Sequence, residues 1–330
     1  MKKIIFAILL SSLIYGCSTD FDINADWKDI SIVYCILNQN ETVHYVKINK
    51  AFLGDGNAIT MAADPDSCTY GNYLEVTMEE WIDNNQTRTW LLDTTTIYNK
   101  EAGTFYYPDQ VVYKFNAYLD TLDRNTVYKL NIKNKKTGKI IYSETPLVHS
   151  FTITKPSANQ QAVFNSGNSY QVKWYSGVNG RLYQTIIRFN YWEKNINTGD
   201  SALFHVDWNL GTQNSKTTDG GEEMSTNYFG QSFYKYLKDV IPQKSDVIRR
   251  VAHPNDVDFI FTVAADEFYT YMEVNKPTSG VVQEKPEYTN ISNGIGLFSS
   301  RYDIDVKLEM NKFSLDSLYH GVYTKYLSFQ

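Results

Sequence analysis

The stretch YKLNIKNKKTGKIIY, residues 128–142, consists of two short apolar-patterned segments joined by a polar connection. Tyr128, Leu130 and Ile132 alternate with polar residues, which is typical of a strand with one buried face. Gly138 can supply the positive φ that a tight turn requires, and an apolar return segment follows it. The pattern therefore predicts a β-hairpin.

Strand patterns also precede this hairpin. Residues 30–37 form a nearly continuous apolar run, as expected of a strand covered on both faces. Residues 74–79 and 111–119 alternate between apolar and polar side chains, which indicates strands with one wet face. A sandwich that closes with the hairpin resembles an immunoglobulin or fibronectin type III module, and we place this domain at residues 30–150.

The second half of the chain predicts a further β-rich domain, residues 151–330, with two or three short helices. Apolar residues recur at helical spacing over 233–241, and Ser232 is the predicted cap of that helix. Ser314 is the predicted cap of a last helix. The polar stretch 209–228 has no period and is predicted to be a surface loop. The fold class is thus mostly β.

Composition and charge limit the function. Tyr, Phe and Trp number 26, 17 and 6, or 15% of the residues, and aromatic side chains favour strands. The formal net charge of −6 argues against binding of nucleic acid or anionic lipid head groups through the net field. These features are typical of an exported β-protein.

The N-terminus has the pattern of an export signal. Two lysines precede an apolar run, residues 4–15, which is shorter than the roughly 20 residues of a membrane span. Residues 14–17, IYGC, resemble the lipobox of bacterial lipoproteins. The resemblance implies a signal peptide at residues 1–16 and a Cys17 that carries acyl chains such as palmitate. The alternative is an ordinary secretory signal cut near Gly16, with Cys17 unmodified.

The residues after the anchor bear on location. Asp20, Asp22 and Asp26 precede the first basic residue of the predicted tether, residues 17–29. This segment resembles the acidic tether that can direct Bacteroidota lipoproteins to the outer face of the outer membrane. We therefore expect a lipid-anchored outer-membrane protein on the periplasmic or the cell-surface face, with the surface favoured.

The C-terminal region resembles a Bacteroidota lipoprotein family that is known only by a domain of unknown function. The resemblance rests on FYTY at 268–271, YTNISNGIGLFSSR at 288–301, SLDSL at 314–318 and YTK at 323–325. Genes of this family often lie beside those of TonB-dependent outer-membrane transporters. The resemblance implies an accessory role in nutrient uptake and no known chemistry.

Catalytic and metal-binding patterns are weak in this sequence. His205 and Asp207 would share one strand face, as a base and its orienting carboxylate or as two metal ligands, but no third partner is visible. The sequence contains neither GxSxG nor HExxH, and no CxxC pair or Cys-His cluster. We predict no catalytic residue, no cofactor and no metal.

Three aromatic residues are candidates for a ligand-facing surface: Trp174, Tyr191 and Trp192. Two of them are adjacent, and adjacent strand residues face opposite ways, so one of that pair is expected outside. Burial in the core is the alternative for each of them. The remaining cysteines, Cys35 and Cys68, are expected either to pair as a disulfide or to stay as two buried thiols.

Four Asp-Ser/Thr pairs resemble the acceptor motif of the Bacteroidota O-glycosylation system, which acts on exported proteins. The predicted acceptors are Thr94, Thr121, Ser201 and Ser317. Coincidence is the alternative, because so short a motif arises about once by chance in a chain of this size.

These patterns together predict a non-catalytic binding or accessory subunit in the outer membrane. Its expected partners are the membrane, through the lipid anchor, and a TonB-dependent transporter, with a glycan as a further candidate and nucleic acid excluded. Two alternatives remain open. One is a fimbrillin-like adhesin, and the other is a glycan-binding or glycan-active surface protein.

Overall fold

The computed structural model describes residues 30–51, 58–98, 100–117, 121–277 and 287–330. The predicted signal peptide, Cys17 and the whole predicted tether precede the described residues. Within the described ranges, no helix has the length and apolar character needed to cross a membrane. The fold is mostly β with short helices, as the sequence predicts.

The secondary-structure elements are numbered here in chain order. The strands are β1 Ser31–Asn38, β2 Val43–Lys50, β3 Leu74–Ile82, β4 Asn85–Leu91, β5 Asp93–Ile97, β6 Gln110–Asn116, β7 Val127–Asn134, β8 Ile140–Pro146, β9 Ile153–Lys155, β10 Ser169–Tyr175, β11 Leu182–Asn195, β12 Ser201–Asn214, β13 Glu223–Phe229, β14 Val247–Val251, β15 Val257–Ala264 and β16 Ile295–Leu308. The helices are α1 Ala58–Ala63, α2 Pro65–Cys68, α3 Gly230–Val240, α4 Asp266–Asn275 and α5 Lys312–His320.

The N-terminal half is an immunoglobulin-like β-sandwich. Strands β1, β2, β6 and β5 are neighbours in one sheet, and the second sheet has the order β4-β3-β7-β8. This is the arrangement of an immunoglobulin-type sandwich in which strand C′ joins the C-F-G sheet. Val46 and Phe115 of the first sheet share a buried core with Met78 and Leu130 of the second. The predicted hairpin is confirmed as β7–β8, and Gly138 has a φ of 74°.

The first sheet continues beyond the sandwich. Strand β1 pairs in parallel with β16, and the sheet then runs through β15 and β11 to β12, with β14 also paired to β11. This one sheet therefore contains strands from both sides of residue 150, the predicted boundary between the two domains. Ile291 and Phe298, from the C-terminal region, belong to the core of the N-terminal sandwich. Sequence periodicity cannot predict that the C-terminal region contributes to the N-terminal sandwich, because it carries no information on which strands become neighbours.

A second hydrophobic core is built from residues of the C-terminal half of the chain, from Val148 to Phe329. Helix α3 contributes Phe233, whose ring stacks on Phe164 at 4.0 Å between centroids. The prediction of a surface loop over 209–228 is wrong for much of its length, because β12 extends to Asn214 and β13 begins at Glu223. The end of β12 is largely exposed and polar, so no apolar period marks it.

Candidate functional site

The C-terminal end of β11 is the central strand of a three-stranded surface, with β12 on one side and β14 on the other. Trp192 of β11 lies opposite Leu203 of β12 on one side and opposite Arg250 of β14 on the other. Lys194, two residues further along β11, lies opposite Ser201 and Ile248 in the same two strands. Because directly paired residues project from the same face of a sheet, these side chains share one face.

A groove with a cavity volume of about 520 Å³ lies on this face. We call it the Trp192 groove, and its lining residues are Trp192, Lys194, Ile196, Ser201, Ile248, Arg250 and Val251. The Trp192 side chain is 46% exposed, so a large part of the residue is open to a ligand. The groove thus combines an exposed indole with two cationic side chains and one hydroxyl.

The opposite face of the same strands carries a hydrogen-bond network centred on Arg249, which holds the surface in place. Arg249 is fully buried, and its guanidinium donates to Glu193 Oε2 at 2.7 and 2.9 Å. It also donates to the backbone oxygens of Leu327, at 2.7 Å, and Pro242, at 2.9 Å. Lys244 Nζ donates to Glu193 Oε1 at 2.7 Å. The Arg249 side chain therefore ties β14 to β11 and to the C-terminal segment.

The charge state of this network follows from its contacts. Burial opposes ionisation of Glu193, but the hydrogen bonds from Lys244 and Arg249 hold the pKa of Glu193 below its usual value. The carboxylate is therefore ionised at neutral pH, and both cations on this face have their countercharge in the same residue.

The structure separates the three aromatic candidates. Trp174 is 1% exposed and its ring packs against Phe261, with centroids 5.4 Å apart. Tyr191 is 4% exposed and lies on Phe329 at 5.5 Å. The prediction of ligand-facing rings is wrong for these two, because strand alternation turns both toward the second core. Trp192, the neighbour of Tyr191, is turned outward.

The two remaining cysteines are free thiols, so the disulfide alternative is wrong for this structure. Cys35 lies in the core of the sandwich, where burial raises the pKa of its thiol. The Cys68 Sγ contacts the carbonyl oxygens of Met61 and Ala62 at 3.8 and 3.7 Å, and burial raises its pKa as well. A raised pKa suppresses the thiolate that disulfide exchange requires.

The predicted O-glycosylation acceptors occupy different settings. Thr94 is exposed on β5, which is the edge strand of its sheet, and Thr121 is exposed between β6 and β7. Ser201 is exposed at the start of β12 and lines the Trp192 groove. Ser317 lies inside helix α5, where its hydroxyl donates to Phe313 O at 2.9 Å. Modification of these residues stays a prediction.

His205 and Asp207, which the sequence offers only as a weak candidate pair, form no hydrogen bond with each other in the structure. Both residues lie on β12, but the Asp207 carboxylate accepts two hydrogen bonds from Arg188, at 2.7 and 2.8 Å. These hydrogen bonds hold the pKa of Asp207 below its usual value, because they outweigh burial, which by itself would raise the pKa. Across the described ranges, no group of three or more His, Cys, Asp or Glu side chains is placed to hold a metal ion.

Sequence reasoning missed Lys194 and Arg250, which complete the groove. Lys194 shares the face of Trp192 through strand alternation, and Arg250 becomes a neighbour of Trp192 only through the register of β11 with β14. The signal that could have found Arg250 is the VIRRV segment at 247–251, where two adjacent arginines on one strand must face opposite ways. One of them was bound to lie outside.

Comparisons with known proteins give the following result. No family model and no curated protein matches the sequence. The C-terminal globular domain of an oligosaccharyltransferase from Pyrococcus abyssi is similar over 67% of this chain and 45% of that one, with 10% identity and a TM-score of 0.26. The calcium binding domain CBD12 of CALX1.1 is similar over 82% of this chain and 98% of that one, with 12% identity and a TM-score of 0.15. This chain thus spans less than half of the first structure, and TM-scores this low carry no functional argument.

Proposed function

We propose that this protein is a non-catalytic, lipid-anchored envelope protein that binds a saccharide in the Trp192 groove. The observation that carries the proposal is the half-exposed Trp192, which lines a groove of about 520 Å³. A tryptophan on a sheet surface would normally be covered, and its exposure in a concave site is typical of a binding site.

A saccharide fits this site better than a purely apolar ligand. The C–H face of a sugar ring is flat and apolar and can lie on an indole, while its oxygens require donors around the rim. Lys194, Ser201 and Arg250 supply such donors at the margins of the groove. The residues on the reverse face are held by the Arg249 network, which favours a preformed site over one that folds around its ligand.

The location and partner belong to the same proposal. The lipobox-like residues 14–17 support an anchor at Cys17, and the C-terminal resemblance supports a TonB-dependent transporter as the partner. A surface lipoprotein that captures a saccharide would then deliver it to that transporter. The function is accessory, with no chemical step assigned to this chain.

Replacing Trp192 with alanine should abolish or strongly weaken saccharide binding. Truncation of a central aromatic in a binding site commonly costs about 2 kcal/mol or more, which corresponds to at least about a thirtyfold rise in Kd. The measurement is a glycan array with the mature lipidated protein in detergent, followed by calorimetric titration of each binder. Phe313→Ala is the control, because Phe313 is an exposed aromatic on α5 and outside the groove. Equal Kd values for wild type and Trp192→Ala would refute the proposed site.

The anchor and the partner can be tested together by fractionation. Wild-type protein should sediment with the outer membrane and copurify with a transporter after solubilisation, whereas Cys17→Ala should appear in the soluble fraction. The reason is that acyl chains on Cys17 are the proposed membrane attachment, and two or more chains are needed for stable anchoring. Unchanged membrane association of Cys17→Ala would contradict the anchor, and wild-type protein recovered alone would contradict the transporter.

A further inference from the structure

We infer that the saccharide bound in the Trp192 groove is anionic, carrying a carboxylate or sulfate group on or next to the ring that lies on Trp192. This inference rests on the proposed function and names the ligand class of the same site.

The two cations of the groove lack countercharges. Lys194 and Arg250 are both exposed, and in the part of the chain that the structure describes neither has an ion-pair partner. The reverse face differs, because Lys244 and Arg249 share the carboxylate of Glu193. The cations on one face therefore have a carboxylate partner, whereas the two cations of the groove on the other face have none among the described residues.

Hydrogen-bonding capacity points the same way. Trp192, Lys194 and Arg250 have side chains that only donate hydrogen bonds, and the Ser201 hydroxyl is the one side-chain acceptor among the lining residues. A neutral sugar presents hydroxyls that both donate and accept, so a matching site needs acceptors such as carboxylate or amide oxygens. A carboxylate or sulfate only accepts. A lining made of donors is complementary to that group.

The register places the cations within reach of one sugar ring. Arg250 lies directly opposite Trp192, and such pairs have Cβ atoms about 5 Å apart. Lys194 is on the diagonal from Arg250, at roughly 7 to 8 Å. A charged substituent on a ring that covers Trp192 can therefore meet either side chain, and Arg250 can bind it with two parallel hydrogen bonds.

Carboxylates are present nearby but belong to a different groove. Asp200 and Asp246 line an adjoining groove of about 490 Å³, which shares Ser201 with the first. With a net charge of −6, the protein as a whole repels anions. An anionic ligand is thus selected by the local pair of cations and not by the overall field, and its affinity should fall as salt concentration rises.

The test uses oligosaccharides in charged and neutral pairs: oligogalacturonate with its methyl ester, and chondroitin sulfate oligomers with the desulfated, carboxyl-reduced form. The full mature protein in detergent is titrated with each. We expect an anionic member to bind and its neutral counterpart to bind at least about tenfold more weakly, since charge-assisted hydrogen bonds are lost. Lys194→Gln/Arg250→Gln should lose the same factor for the anionic member. The charge-matched control Lys155→Gln/Lys238→Gln, at two exposed positions outside the groove, should bind as wild type.

The outcomes separate this inference from the proposed function. Neutral members that bind as tightly as their charged counterparts, or a double variant that binds as wild type, would overturn the anionic ligand and leave a saccharide site. Absence of binding by every member, or binding unaffected by Trp192→Ala, would overturn both. An added arm with neutral-lipid vesicles doped with an anionic lipid covers the remaining case. Vesicle binding that requires Lys194 and Arg250, without any saccharide binding, would assign the cations to a membrane contact and overturn the inference.

Discussion

Gly296→Ala is expected to lower the free energy of unfolding by about 3 kcal/mol or more. Gly296 lies opposite Val33 in the parallel pairing of β16 with β1, and its φ is 121°. A Cβ built on Gly296 would lie 1.9 Å from the carbonyl oxygen of Val33. Backbone cannot yield as a flexible side chain can, so β1 must move away from β16. Overpacking costs about 1–3 kcal/mol, and a non-glycine residue at positive φ adds about 1–2 kcal/mol.

Urea denaturation followed by tryptophan fluorescence would measure this loss. The matched control is Gly103→Ala, because Gly103 has no atom within 4 Å of its built Cβ and no positive φ. That control should stay within about 0.5 kcal/mol of wild type. A Gly296→Ala protein as stable as the Gly103→Ala protein would show that the two strands do not approach this closely.

Arg249→Met is expected to cost about 3–5 kcal/mol, the range found when one partner of a buried ion pair is removed. The substitution keeps an apolar chain in the space but leaves Glu193 with Lys244 alone, and it frees the backbone oxygens of Leu327 and Pro242. The loss is therefore in polar contacts and not in packing volume.

The measurement is the free energy of unfolding of wild type, Arg249→Met and Arg250→Met, obtained by urea denaturation at several pH values. Arg250→Met should change stability by no more than about 0.5 kcal/mol, because Arg250 is exposed. Glu193 has a lowered folded pKa, so its stabilisation is present above its unfolded pKa of about 4.3 and lost as pH falls through the folded pKa. The gap between wild type and Arg249→Met should thus narrow below about pH 4. Equal stability of the two variants at pH 7 would contradict the network.

The sandwich could be predicted from the sequence because its strands have one wet face. Alternation at residues 128–132 and 74–79 gives the strand period directly, and Gly138 marks the turn. Gly296 lies between Ile295 and Leu297, and a glycine between apolar residues indicates close backbone approach. Built Cβ atoms at Gly294 and Gly296 confirm this, at 2.9 Å from Ser31 O and 1.9 Å from Val33 O.

Helix starts were harder, because a cap is decided by tertiary contacts. Helix α3 begins at Gly230, before the predicted cap Ser232, and a built Cβ at Gly230 would lie 2.4 Å from Asn165 O. At α5 the cap is Asn311, whose side chain accepts from Ser314 N. The Ser314 hydroxyl instead accepts from Phe164 N, at 2.8 Å and far away in the chain. No local pattern carries that partner.

The candidate site could be predicted only in part. Alternation predicts that one of Tyr191 and Trp192 faces outward, but not which one, because both are large and aromatic. Which of the two rings faces outward depends on where the second core lies. The position of Arg250 beside Trp192 depends on the register of β14 with β11. Both are properties of distant segments. The chemistry of the groove is consequently visible in the structure and not in any single stretch of sequence.

The position of β1 also governs how the molecule bears force. A pull applied at residue 30 enters the fold through Ser31, the first residue of β1. Strand β1 is held on both sides, by β2 from Ser31 to Tyr34 and by β16 from Ile32 to Asn38. Tension directed along the strand would load both sets of hydrogen bonds in shear, so they must fail together and not one after another. A pull at this end is therefore resisted by two sets of hydrogen bonds at once, whereas a strand at the edge of a sheet can be peeled off one bond at a time.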